Sequence, residues 1–143
     1  MNTKTKLSVI LLNIGIIFFS SPNSAQAQKD SSDKQVVAML KDFYTSYMTA
    51  FSDGADENKF AAIQKKYCTA ALLKRVPKLA EQWDSDPFLK AQDSNVEYLK
   101  TLTVKKDLKK RDSYIVSYYA VRTFVIHLLV IKQNESYKID SVW

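Results

Sequence analysis

Three runs near the carboxyl end leave this chain little choice of architecture. Tyr114–Ala120, Thr123–Ile131 and Tyr137–Trp143 are built largely from β-branched and aromatic residues, with no Pro or Gly inside them. That composition suits a pleated, half-buried surface and predicts strands. Only a few residues separate the runs, too few for a crossover, so neighbours must pair antiparallel as a meander. A looser alternation from Val96 to Leu108, with Leu102 and Val104 on one side and Thr101, Thr103 and Lys105 on the other, predicts a further strand ahead of them. The Thr123–Ile131 run is apolar on both faces: Phe124, Ile126, Leu128 and Val130 alternate with Val125, His127, Leu129 and Ile131. An antiparallel sheet with one wet face would carry a polar row. The second face therefore needs a cover, either a curl of the sheet around a pocket or another subunit.

Upstream, the apolar period changes from two to between three and four residues. Val36, Leu40, Phe43, Tyr47 and Phe51, with Val37, Tyr44 and Met48 beside them, give a wide apolar face on a helix over 33–51. Ser32 and Gln35 form a capping-box pattern at its start, and Gly54 is placed to end it. Asp56 can cap a second helix, Glu57–Tyr67, and Thr69 a third from Ala70 to about Trp83, which Pro77 must kink or split. Asp84–Asp93 reads as a loop held down by Phe88 and Leu89. Helices followed by a four-stranded antiparallel meander define an α+β fold.

The first 27 residues carry a different message. Lys4 and Lys6 precede an apolar run, Leu7–Phe19, and Ala25-Gln26-Ala27 gives a small-x-small pattern. This is the form of a secretory signal peptide cut after Ala27. The run is shorter than the roughly 20 residues a spanning helix needs, so no membrane anchor is expected after the cut. A single domain over 28–143 remains, in the periplasm or outside the cell. Removing two lysines and no acids takes the net charge from +6 to +4. The one dense basic cluster, Lys105–Asp112, falls at a predicted hairpin and reads as a solvated turn rather than a nucleic-acid contact. Cys68 is the sole cysteine, so no internal disulfide is possible.

No catalytic or cofactor motif stands out, and no cofactor is expected. His127 is the only histidine and lies mid-strand, so a histidine pair for a metal cannot form and a packed or interface role is expected. Cys68 with His127 as a nucleophile and base is the sharper alternative, but nothing in the spacing unites them. Asp84, Asp86 and Asp93 could surround Ca²⁺, yet they lack the glycine and closing glutamate of a calcium loop; capping of local N–H groups is the favoured reading. Tyr114, Tyr118, Tyr119, Tyr137 and Trp143 make the sheet aromatic-rich, which suits a ligand pocket or interface anchors. Asn134-Glu135-Ser136 matches an N-glycosylation acceptor.

Asp86-Pro87-Phe88-Leu89-Lys90-Ala91-Gln92-Asp93, with Lys66-Tyr67-Cys68-Thr69 and Leu72-Leu73 upstream, resembles the bacterial domain-of-unknown-function family 3828. Tyr137-Lys138-Ile139-Asp140 is similar to the last strand of that family and of the cone-shaped domains related to nuclear transport factor 2. The resemblance implies a long helix in the concavity of a curved sheet, and no assigned activity. A non-catalytic exported binding module follows as the expectation, possible forms being an inhibitor or immunity-type envelope protein. Its occupant would be a small ligand or an envelope protein, held by some of Trp83, Asp84, Asp86, Phe88, Gln92, Asp93, Tyr118 and His127. The alternatives are a small envelope hydrolase or isomerase that pairs His127 with Asp86 or Asp93, and a homodimer through the sheet.

Overall fold

The computed structural model describes residues 23–143. The predicted leader lies outside them up to residue 22, and the expected cut after Ala27 falls within the first turns of the opening helix. That helix, α1 (Asn23–Ser52), runs through Ser32 without stopping. The Ser32 hydroxyl donates to the Lys29 carbonyl one turn back at 2.8 Å, so the expected capping box does not form. Gly54 ends α1 as expected, at φ +62°. Its N–H donates to the Phe51 carbonyl and that of Ala55 to the Ala50 carbonyl, the paired bonds of a Schellman stop.

α2 (Glu57–Tyr67) starts where Asp56 caps it, the carboxylate accepting from the Lys59 N–H. Pro77 splits the next stretch into α3 (Ala70–Leu73) and α4 (Val76–Trp83). The proline sits at the start of α4, where its missing N–H has no helical partner to lose. The predicted first strand is corrected: Val96–Thr101 is a 3₁₀ helix capped by Asn95, and only Thr103–Lys106 forms β1. The loose alternation there reflects a three-residue turn repeat followed by a short strand. β2 (Ser113–Tyr119), β3 (Thr123–Gln133) and β4 (Ser136–Val142) follow. They pair antiparallel in chain order, with an irregularity between Leu129 and Val130.

The chain is thus an α+β fold, with helices packed on one face of a four-stranded antiparallel meander. Leu40, Phe43, Tyr44 and Met48 of α1 are fully buried against Val116, Ile126, Leu128 and Ile139 of the sheet. Phe43 packs edge-on against Phe88, centroids 5.2 Å apart. These side chains fill the middle of the sheet's inner side. The β4 edge is closed by the α2–α3 junction: Cys68 bridges Ile139, and the Thr69 N–H donates to the Ile139 carbonyl at 2.9 Å.

Candidate functional site

The Asp86 loop is a structural plug. The Asp86 carboxylate accepts from the Phe88 and Leu89 N–H groups with Oδ1, at 2.8 and 3.0 Å, and from the Tyr47 hydroxyl with Oδ2, at 2.7 Å. The Tyr44 hydroxyl donates to the Phe88 carbonyl and that of Tyr118 to the Leu89 carbonyl. Burial raises the Asp86 pKa, more than these hydrogen bonds lower it. Burial also pushes the Tyr44, Tyr47 and Tyr118 hydroxyls up, with Asp86 adding to the effect. Each carboxylate oxygen is already engaged, so Asp86 serves the loop by capping, as its spacing suggested.

Of the eight predicted site residues, the structure brings some together around the Asp86 loop and sets His127 apart. Phe88 and Tyr118 are buried in the core beside Asp86. Trp83 is half-buried under the Lys90 ammonium, 5.8 Å from its ring centre. Asp84 takes a left-handed turn, φ +48°, and its carbonyl accepts from the exposed Gln92 side chain. Asp93 is exposed. His127 faces away from all of them, because its strand neighbours Ile126 and Leu128 are the residues that point into the core. Alternation along β3 sends His127 out through the opposite face. Asp86 and His127 are therefore on opposite sides of the sheet, and these two do not pair. Cys68 is buried, and burial pushes its thiol up to about 12, too high for a thiolate nucleophile at neutral pH. Among the described residues no group of three His, Cys, Asp or Glu side chains is placed to hold a metal. No described helix is long and apolar enough to cross a membrane.

The outer face of the sheet carries the more informative arrangement. Register places Lys105, Ile115 and His127 side by side on β1, β2 and β3. His127 and Trp143 exchange both backbone hydrogen bonds at 3.1 Å, extending the row across the sheet. The His127 and Trp143 rings stack 5.8 Å apart at 21°. Lys110, from the β1–β2 turn, sets its ammonium 3.7 Å from the Trp143 ring centre. Around this row lie Val125, 41% exposed, Ile131, 37% exposed, and Tyr119, 56% exposed. No described helix covers these exposed side chains. The doubly apolar strand and Trp143 as a candidate anchor are legible in the sequence; the stacking of Trp143 on His127 and the contact with Lys110 are not. The only signal for Lys110 is the basic run, whose lysine here rests on the Trp143 ring instead of standing free in solvent.

The class these features define is an α+β protein whose helices fill one side of an antiparallel sheet and whose other side presents an uncovered aromatic and apolar row. No family model and no curated protein matches the chain. Among solved structures it is similar to a protein of unknown function from Bacteroides thetaiotaomicron, at 26% identity over 85% of this chain and 98% of that one, TM-score 0.77. It is also similar in fold to a chain of the type VI effector–immunity complex Tae3–Tai3 from Ralstonia pickettii. The identity there is 19% over 73% of this chain and 90% of that one, with a TM-score of 0.56.

Proposed function

We propose that this chain is an exported, immunity-type binding module of the cell envelope that seats a protein partner on the outer face of its sheet and breaks no bonds. The observation that carries the reading is the uncovered row Ile115–His127–Trp143 with Val125 and Ile131 beside it. A contiguous apolar patch rimmed by charge is the signature of an interaction site, and an aromatic anchor with a cation above it suits an interface centre. The likeness of fold to a chain of an effector–immunity complex supports a protein as the occupant. The export motif at residues 1–27 supports the compartment. The separation of Asp86 from His127, and the burial of Cys68, support binding over catalysis. Membership of domain-of-unknown-function family 3828, drawn from the Asp86–Asp93 motif, remains part of this proposal.

A photo-crosslinking amino acid placed at Val125 in the producing cell tests it, with the same group at Lys65 on the exposed side of α2 as control. The expected result is one adduct from the Val125 position, of a mass other than twice the chain, which is lost when Ile131→Glu is added. No adduct, an adduct of twice the chain mass, or equal adducts from both positions would overturn the reading.

A further inference from the structure

A second feature lies beside that face. A cavity of about 960 Å³ opens between α1, the β1–β2 turn and the far ends of β3 and β4. Its apolar lining comes from Val36, Tyr114, Val130 and Tyr137, and its wall from the ion pair of Lys106 with Asp33. Asp33 also accepts from the Tyr114 hydroxyl at 2.8 Å. Burial raises its pKa, and the bonds and charges of Lys106, Tyr114 and Lys29 outweigh that and lower it.

The lining is unbalanced in charge. Six basic residues and four acidic ones surround the cavity. Of these acids, Asp33 is bonded as described, Asp107 accepts from the Lys109 N–H at 2.8 Å, and Asp112 lies 3.3 Å from the exposed Arg111 side chain, so the lining keeps an excess of two positive charges. Lys109 makes no ion pair with any described residue, and Lys132 reaches Glu135 only at 3.8 Å on the surface, a pair worth little.

We propose that this cavity takes an acidic, partly apolar peptide segment, contributed by the same protein partner that covers the outer face; this rests on the preceding reading of the chain as a partner-binding module. Three observations fix the occupant. The excess positive charge selects an anion. The volume is at the upper end of the range for small-ligand pockets, about 300–1,000 Å³, and apolar side chains such as Val36, Tyr114 and Val130 share its lining with the charged ones, so an inorganic ion would leave most of it empty. Finally, Lys110 belongs to the cavity lining and also sits on Trp143, so cavity and outer face share a wall and one partner can reach both. The turn Asp107–Asp112 is thus a basic spur standing between two halves of one docking surface.

The test uses the full chain and two fluorescein-labelled octapeptides, one alternating glutamate with leucine and the other lysine with leucine, followed by fluorescence anisotropy. The acidic peptide is expected to bind at least tenfold more tightly than the basic one. Lys109→Glu with Lys132→Glu should weaken it at least tenfold, whereas Lys65→Glu on α2 leaves it within twofold. Both lysines are exposed, and circular dichroism confirms that the charge-reversed chain is folded. Equal binding of the two peptides, no effect of the double reversal, or complete displacement by millimolar inorganic phosphate would overturn the proposal. Ile131 lines the cavity too, so the two readings are separated by the Val125 adduct in the Lys109→Glu, Lys132→Glu chain: loss of the peptide site with that adduct retained leaves the outer-face reading standing.

Discussion

At the residue scale, Asp86 shows how one side chain can be a conspicuous motif residue and yet do purely structural work. Its Oδ1 holds two N–H groups of a buried loop and its Oδ2 holds Tyr47, whose oxygen also accepts from the Gln64 amide at 2.9 Å. Removing the acceptor strands these donors in the core. Asp86→Ala is expected to cost about 2–4 kcal/mol, since each orphaned buried donor costs about 1–3 kcal/mol. Asp86→Asn keeps an acceptor for the two N–H groups and should cost about 1 kcal/mol or less at neutral pH. The comparison also has a pH signature. Burial raises the folded pKa of Asp86 above its ordinary 3.8, so the native state holds its proton more tightly than the unfolded chain. Stability contributed by this group is then full below the unfolded pKa and falls as pH rises through the folded value. The stability of Asp86→Asn relative to the natural chain should therefore improve as pH rises from about 3 towards neutrality. Urea denaturation of both chains across that range checks it; a relative stability that moves the other way contradicts the assignment.

At the element scale, what could be read from the sequence depended on whether local chemistry or tertiary packing decided the outcome. The bounds of α2 were readable because Asp56 caps one end and the Phe60–Ile63–Tyr67 stripe marks the face. The split at Pro77 was readable because proline acts on its own backbone. Two elements were misread for a common reason. Ser32 can cap a helix, but the helix extends through it to Asn23. Val96–Thr101 contains strand-compatible residues, but Asn95 caps a 3₁₀ turn instead, its side chain accepting from the Glu97 N–H. A cap residue thus states an option that the flanking chain accepts or declines. Of the candidate site, the doubly apolar β3 was readable from period alone, whereas Trp143 and Lys110 reach it only through the register and the fold of the β1–β2 turn.

Thr69 offers a test at this scale. Its hydroxyl accepts from the Leu72 N–H at 3.1 Å and donates to Asp140 at 2.8 Å, so it both starts α3 and ties it to β4. The neighbouring Arg75 donates to the Asp140 carbonyl at 2.6 Å, fastening the same junction. Thr69→Val keeps the volume and loses the hydroxyl. It should cost about 1–2 kcal/mol, as helix-cap removals do, whereas Thr69→Ser should cost about half of that or less. Thermal unfolding of the two variants distinguishes them; a larger loss for Thr69→Ser than for Thr69→Val would mean that the methyl packing, and not the hydroxyl, holds the junction.

At the scale of the whole molecule, the sheet divides the chain into a saturated side and an unsaturated one. The inner face has spent most of its apolar surface on α1 and the Asp86 loop. The outer face retains Val125, Ile131 and Tyr119 in contact with water, and two kinds of molecule could cover it: a second copy of this chain or a different protein. Charge discriminates between them. Lys105 lies in the outer row and Lys110 on its Trp143 edge, with exposed Lys109 and Arg111 next along the turn. No acidic residue belongs to the row Lys105–Ile115–His127–Trp143. Two copies brought together through this face would bring like charges near one another over a desolvating surface, which is costly, whereas an acidic partner would gain from the same charges. The chain alone is therefore expected to remain monomeric at about 10 µM in about 0.05 M salt, with self-association emerging only near 1 M, where the screening length shrinks to about 3 Å and the repulsion is lost. Val125→Glu should abolish even that high-salt association, while changing unfolding free energy by about 0.5 kcal/mol or less, because the side chain is already partly exposed. Sedimentation equilibrium across the salt series decides the matter: a stable dimer at low salt that Val125→Glu dissociates would make a second copy of this chain the occupant of the face.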